Sequence, residues 1–129
     1  MQNQSPIKNH VGEIFIHVSD MQRAIKFYSD LLGLPLQKTA HEGNIYQIIT
    51  TGSTGVLLDS HRKDEPNQNN KPILFFDTDH IHNSYDHIKS LNVEIVSEIE
   101  VHENISFFTL KDPDGNVLMV NEDKRKINL

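Results

Sequence analysis

The sequence predicts one α+β domain, residues 1–129, in which two βαβββ repeats form a curved mixed sheet around a cavity. Short segments of alternating apolar residues are typical of strands, and two longer segments have the apolar spacing of helices. These segments follow the same order in both halves of the chain. A polar linker at residues 61–72, whose only apolar residues are prolines, separates the halves.

The first repeat covers about residues 10–61. Ser19-Asp20 supplies a helix N-cap, apolar residues follow at helical spacing, and Gly33 is a natural stop for that helix. Glycine-containing turns separate the segments that come after it. We therefore predict a helix at 21–32 and strands at 11–18, 34–41, 45–51 and 56–59.

The second repeat covers about residues 72–122, and its predicted elements follow the same order. Its last two strands are joined by Asp112-Pro113-Asp114-Gly115-Asn116, in which Asp begins a turn, Pro fixes φ and Gly adopts a positive φ. This string predicts a hairpin. The other expected elements are strands at 73–78, 93–99, 105–111 and 116–121 and a helix that starts near His80.

An offset of 60 residues superimposes the two halves, and it pairs Phe15 with Phe75 and Ile25 with Tyr85. A unit of this kind covers one face of its own sheet only, so we expect the two copies to share a core. The remaining faces would enclose a cavity, which is a natural place for a small ligand.

The composition argues against several classes of partner. Lys and Arg number 12 against 18 Asp and Glu, so there is no basic excess for nucleic acid. The longest apolar runs have four residues, whereas a membrane span needs about 20. The chain has no cysteine and its first ten residues lack the apolar core of a secretory signal, so we expect a cytoplasmic protein.

Two segments carry a resemblance to a known family. GEIFIHVSDMQRAIKFYSDLLGLPL, residues 12–36, looks like the opening strand and helix of the vicinal oxygen chelate superfamily, and FFTLKDPDGNVLMV, residues 107–120, is similar to its closing hairpin. That superfamily includes glyoxalase I, extradiol dioxygenases and bleomycin-resistance proteins. The resemblance implies a glyoxalase-like fold, a small organic molecule as ligand and a homodimer.

Metal-dependent members of the superfamily place four ligands on strands. Carried onto this sequence, the resemblance puts them at Glu13, Asp59, Ile73 and Met119. Only the two carboxylates offer oxygen to a hard divalent ion, because isoleucine has no donor atom and a thioether prefers softer metals. The resemblance therefore implies a degraded site for Mn, Ni, Zn or Fe, with no metal tightly bound.

Histidines and aromatic residues supply the remaining candidates. His17 and His61 would share strand faces with Glu13 and Asp59, so a displaced metal cluster is conceivable, and His17 is the expected auxiliary acid or base. His80, His82 and His87 fall on a solvated helix side, and no role is assigned to His10, His41 or His102. The candidate ligand-binding residues are Phe15, Tyr46, Phe75, Phe107 and Met119.

The sequence leaves three functions open. The first is a metal-free protein of the bleomycin-resistance type that binds a small molecule. The second is a metal-dependent lyase, isomerase or dioxygenase that uses Glu13 and Asp59, and the third is a metal-free enzyme in which one of these carboxylates is a base with a pKa raised by burial.

Overall fold

The computed structural model of the chain describes residues 5–39, 43–65 and 70–125. In this part of the chain the second half has the predicted βαβββ order and the first half has βαββ, and together they form two mixed sheets and two helices, which confirms the α+β class. The elements are β1 (Glu13–His17), α1 (Met21–Leu32), β2 (Ile45–Ile48), β3 (Gly55–Asp59), β4 (Pro72–Asp77), α2 (Ile81–Ser90), β5 (Glu100–Val101), β6 (Ile105–Lys111) and β7 (Val117–Asp123).

Helix α1 begins and ends where the sequence places it. The Asp20 side chain accepts a hydrogen bond from the Arg23 N–H, which satisfies one of the first free amides of the helix. Gly33 closes the helix with φ +68°, a conformation that glycine adopts at little cost. Neither helix in the described part of the chain is long and apolar enough to cross a membrane.

Helix α2 begins near its predicted start, but its N-terminus is capped differently from that of α1. His80 occupies the N-cap position but makes no side-chain capping bond. Instead, Glu122 on β7 accepts a hydrogen bond from the Ile81 N–H at 2.9 Å. The start of α2 is therefore fixed by a carboxylate from the neighbouring sheet, where the positive end of the helix dipole favours a negative charge.

The two sheets have related topologies. The first has the strand order β1-β3-β2 and the second the order β4-β7-β6-β5. In each sheet the first strand of the half is an edge strand that runs parallel to the last strand of that half, and the other pairings are antiparallel. The sequence repeat is thus a repeat of strand order as well as of element order.

Two predicted strands differ from the structure. Residues 34–39 form no strand, and 40–42, with His41, lie outside the described residues. Pro35 has no N–H to donate, and the Gln37 N–H is bonded to the Tyr46 hydroxyl instead of a strand carbonyl. In the predicted strand 93–99, two successive amides, those of Val96 and Ser97, share the Thr109 carbonyl, which breaks the regular ladder.

One hydrophobic core joins the helix-facing sides of both sheets. Ile16 and Leu58 of the first sheet belong to the same cluster as Phe108 and Leu118 of the second, together with the buried faces of α1 and α2. Among the described residues, nothing covers the opposite side of each sheet, since Phe15 and Phe75 remain 54% and 55% exposed. We call these two sides the open faces.

The turn that links β6 and β7 connects the two halves. Asp112 is buried, and its Oδ2 accepts hydrogen bonds from the Tyr28 hydroxyl at 2.6 Å and from the Asn116 amide at 2.8 Å. The same amide group also donates to the His17 carbonyl at 3.0 Å. At the turn's tip, Asp114 accepts from the Ser19 N–H and is paired with the Arg23 guanidinium. The second half is therefore bonded to β1 and to α1.

Replacing Tyr28 with Phe tests this connection. Burial, and then the charge of Asp112, raise the pKa of the Tyr28 hydroxyl far above its ordinary value, so the hydroxyl keeps its proton and donates it to Asp112 in the folded protein at neutral pH. We expect Tyr28→Phe to lower the free energy of unfolding by about 1–3 kcal/mol at neutral pH, because Asp112 loses a donor in a buried place. Denaturant unfolding measures the loss.

The same pair predicts a pH dependence. Because the pKa of Tyr28 is raised on folding, its contribution to stability is present below the pKa of the unfolded chain, about 10, and is lost above it by about 1.4 kcal/mol per pH unit. Tyr28→Phe should lack this component. Tyr85→Phe is the control, since the Tyr85 ring packs edge-on against Phe108. Equal losses in the two variants, or equal alkaline slopes in wild type and Tyr28→Phe, would contradict the assignment.

Candidate functional site

The open face of the first sheet is a small grid of side chains. Residues that are directly opposite each other in a ladder point to the same side of a sheet. The register therefore gives three rows across the strands: His17–Asp59–Ile45, Phe15–Leu57–Gln47 and Glu13–Gly55. The middle row has an apolar centre, and each of the outer rows carries a carboxylate. This face therefore has charged side chains in its two outer rows and apolar side chains at the centre of its middle row.

Glu13 lies over a glycine. A Cβ at Gly55 would stand 2.5 Å from Glu13 Oε2 and 3.6 Å from Gln47 Nε2, so the carboxylate and the amide both reach over the bare backbone. A side chain at position 55 would require the carboxylate end of the flexible Glu13 side chain to move away. The glycine therefore lets Glu13 lie against the backbone of β3 in this conformation.

Asp59 lies between two histidines at the other end of the face. His17 is its ladder partner on β1, and His61 Nδ1 is 2.8 Å from Asp59 Oδ1. The same oxygen accepts the His61 backbone N–H at 2.8 Å. Burial raises the pKa of Asp59, but the hydrogen bonds from His61, and the charges of His61 and His17, outweigh this effect and leave the pKa below its ordinary value.

The open face of the second sheet also combines apolar and polar residues. Phe75, Met119 and Thr109 are opposite one another in its central row, and Asp77, Asn121 and Phe107 form the next row. The His102 ring is stacked on Phe107, with centroids 5.6 Å apart and 18° between the planes. Phe15 and His17 form a similar stacked pair on the first sheet, at 6.2 Å and 10°. Each open face therefore combines an exposed aromatic surface with a histidine.

The register corrects one position inferred from the repeat. Phe15 and Phe75 are equivalent, and their parallel partners are Leu57 and Met119. Leu57, not Asp59, is thus the counterpart of Met119. The second half has two more residues than the first between the phenylalanine and its partner, so a constant offset of 60 fails at this strand. Leucine has no donor atom for a metal.

The predicted carboxylates share a face but do not meet. Glu13 is opposite Gly55, whereas Asp59 is opposite His17, four residues or about 13 Å further along the strand. Ile73 packs against the core beside a register irregularity of β4. In the described ranges, no group of three or more His, Cys, Asp or Glu residues is arranged to hold a metal ion, so the conceived cluster of Glu13, His17, Asp59 and His61 does not form.

The structure separates the aromatic candidates. Phe15 lies on the first open face, and Phe75, Phe107 and Met119 lie on the second. Tyr46 instead lies on the helix-facing side of β2, 4% exposed, where it lines an apolar cavity of about 250 Å³ with Leu34, Pro35 and Ile48. The strand alternation of Ile45-Tyr46-Gln47 explains this placement, and the same alternation would have indicated Gln47 as a site residue.

The third sequence hypothesis needs a correction as well. A carboxylate base with a pKa raised by burial is wrong for Asp59, because His61 and His17 lower the pKa of this group. Their hydrogen bonds and charges favour the ionised form more than burial opposes it.

Two mixed sheets that share one core and leave an open face each define a glyoxalase-like α+β protein, and a comparison with family models identifies its superfamily. The family model of the Glyoxalase/Bleomycin resistance protein/Dioxygenase superfamily matches residues 9–120. The chain belongs to this superfamily. The resemblance to the vicinal oxygen chelate proteins is thereby confirmed.

Solved structures agree on the fold. A glyoxalase/dioxygenase from Nostoc punctiforme has a TM-score of 0.75 at 19% identity, with 95% of this chain and 99% of that chain covered. TnmS3, an antibiotic binding protein from Streptomyces sp. CB03234, has a TM-score of 0.72 at 24% identity, with 93% and 99% covered. A lactoylglutathione lyase from Agrobacterium tumefaciens has a TM-score of 0.67 at 21% identity, with 93% and 97% covered.

A curated relative extends the family in sequence. The uncharacterised protein YetH of Bacillus subtilis is 23% identical over 116 residues, which are 87% of this chain and 97% of that protein. Similarity at this level is shared with proteins of different activities, so the side chains of the open faces must decide the chemistry.

The pairing of Asp59 with His61 generates a prediction. We expect the Asp59 carboxyl to titrate below the ordinary value of 3.8, and His61→Ala to move its pKa upward, because the opposing effect of burial remains while the imidazole bond is lost. Carbon-13 NMR titration of the carboxyl groups measures both values. His82→Ala, on the exposed side of α2, is the control. An unchanged pKa of Asp59 in His61→Ala would refute the pairing.

Proposed function

We propose that this protein binds a small organic molecule on its open faces without a metal ion. The observation that carries the proposal is the equivalence of Leu57 and Met119 beside Phe15 and Phe75. Small-molecule sites are mostly apolar and use a few polar groups to orient the ligand. The open faces have this composition, with Glu13 and Gln47 at one end of the first face and Asp59 with two histidines at the other.

The donor chemistry supports the metal-free reading. Oxygen ligands bind divalent ions at about 2.0–2.6 Å, so two carboxylates must approach within a few ångström to share one ion. Glu13 and Asp59 are about 13 Å apart along their strands. Of the four positions that the resemblance implies, with Leu57 taken in place of Asp59 because of the strand register, only Glu13 carries an oxygen donor.

We further propose that the ligand site is completed in a homodimer. The two open faces are exposed in the single chain, and each is bordered by an edge strand, β1 or β4. A second copy that covers these faces would bury Phe15 and Phe75 and enclose a cavity between sheets. The antibiotic-binding relative TnmS3 supports a binding role, and the absence of cysteine from the sequence fits a reducing compartment such as the cytoplasm.

The alternative is a metal-dependent lyase, isomerase or dioxygenase. The lactoylglutathione lyase among the structural neighbours and the accessible carboxylate of Glu13 favour it. In this alternative, Glu13 would need further ligands from a second copy, because its neighbours Gly55 and Gln47 offer no other carboxylate or imidazole.

Metal titration separates these two functions. We expect tag-free protein to contain no stoichiometric Mn, Ni, Zn or Fe, and calorimetric titration of these ions to show the same weak heats in wild type and in Glu13→Ala, because the mapped site lacks donors. One metal ion per chain, bound tightly by wild type and lost in Glu13→Ala, would overturn the metal-free proposal and establish the alternative.

Binding of an aromatic probe tests the positive claim. Titration of 2-methoxynaphthalene, followed by its own fluorescence in a chain without tryptophan, should show saturable binding to wild type. Phe15→Ser should weaken it about tenfold, because a buried aromatic contact is lost. Leu36→Ser, at a side chain that is 70% exposed, is the control. Equal affinity of both variants, or a monomer in sedimentation equilibrium, would contradict the proposed site.

A further inference from the structure

A histidine held by a carboxylate stands at the edge of the first open face. His61 Nδ1 and the His61 backbone N–H both bond to Asp59 Oδ1, each at 2.8 Å. The Asp59 side chain is 14% exposed, whereas that of His61 is 51% exposed. Two bonds therefore fix the ring at the carboxylate while half of its surface reaches solvent.

The chemistry of the pair assigns the protons of the ring. An ionised carboxylate only accepts hydrogen bonds, so Nδ1 must carry the hydrogen that lies between it and Asp59. The neutral ring then has its lone pair on Nε2. Within the described part of the chain, Nε2 of His61 makes no hydrogen bond, so the pair offers a preformed acceptor to a ligand.

An apolar surface lies next to Asp59, the carboxylate that holds this acceptor. Leu57 and Phe15 occupy the row that precedes Asp59 and His17, two residues or about 7 Å along the strands. The Phe15 ring is parallel to that of His17 and more than half exposed. A fused two-ring aromatic system has the length to cover Leu57 and Phe15 and to place a substituent at the Asp59 row.

The charges around the acceptor select the kind of substituent. Asp59 and Glu13 repel an anion, and the chain has a net charge of -6. A cation gains less from Asp59, because Oδ1 of this carboxylate already accepts two hydrogen bonds from His61. A neutral hydroxyl, which donates one hydrogen bond and brings no charge, satisfies both conditions.

We propose that His61, positioned by Asp59, selects ligands that are planar aromatic molecules with a phenolic or enolic hydroxyl. The hydroxyl donates to Nε2 of His61 while the ring system lies on Phe15 and Leu57. This inference rests on the proposed function and adds the chemical class of the ligand. His61 is the specificity-determining residue and Asp59 is a positioning residue.

A matched pair of probes tests the selection. 2-Naphthol and 2-methoxynaphthalene have the same ring system, and only the first donates a hydrogen bond. We expect wild type to bind 2-naphthol about five- to tenfold more tightly, which corresponds to one hydrogen bond. His61→Phe keeps a ring but removes the acceptor, so it should bind both probes equally. His82→Phe on α2 should keep the wild-type preference.

The positioning role of Asp59 has a readout of its own. Nitrogen-15 NMR of the imidazole distinguishes the two neutral tautomers, and we expect His61 of wild type to carry its hydrogen on Nδ1. Asp59→Ala should shift the ring toward the Nε2–H tautomer and reduce the ratio of the affinities for 2-naphthol and 2-methoxynaphthalene. An Nε2–H tautomer in wild type would overturn the positioning of His61.

The outcomes distinguish the two proposals. Equal binding of both probes by wild type would overturn the selection of hydroxyl ligands and leave the proposed aromatic site intact. Binding of neither probe would overturn the proposed function together with this inference. A preference for 2-naphthol that survives in His61→Phe would show that another group accepts the hydrogen bond, and it would overturn the role of His61.

Discussion

The hydrogen bonds of Asp112 are the contact on which the rest of the structure depends. This buried carboxylate accepts a hydrogen bond from the Asn116 N–H, which closes the β6–β7 turn. It also accepts a hydrogen bond from the hydroxyl of Tyr28 in the first half of the chain. Asn116 extends the network to the His17 carbonyl at the end of β1. Because the network is buried, leaving any member without its partner is costly, and the two halves therefore have one well-defined arrangement.

That arrangement decides which sides of the sheets are free. The helices and the helix-facing strand residues of both halves form one core, and the described part of the chain leaves the other side of each sheet uncovered. Exposed aromatic residues such as Phe15 and Phe75 lie on the uncovered sides. Exposed apolar patches of this kind mark places where a ligand or another protein surface binds. The same network that stabilises the fold thus leaves the candidate site open.

The first open face combines two kinds of polar group with an apolar centre. At one end, the Glu13 carboxylate and the Gln47 amide both lie close to the bare backbone of Gly55. At the other end, Asp59 fixes His61 by two hydrogen bonds to one oxygen. Between them lies Leu57, whose side chain has no donor atom for a metal ion. Polar ends orient a ligand and an apolar centre binds it, which is the division of roles that small-molecule sites use.

The sequence by itself determined the order of elements, the limits of α1 and the β6–β7 turn, because N-caps, positive-φ glycines and apolar spacing are local properties. It also identified Glu13 and Phe15 as residues of one strand face. Only the tertiary structure decided that β3 pairs with β1 so that Leu57 is opposite Phe15, and that Asp59 meets His17 and His61 at a distance from Glu13. Register between distant strands depends on long-range packing, and an offset counted along the chain cannot detect two additional residues in a connecting segment.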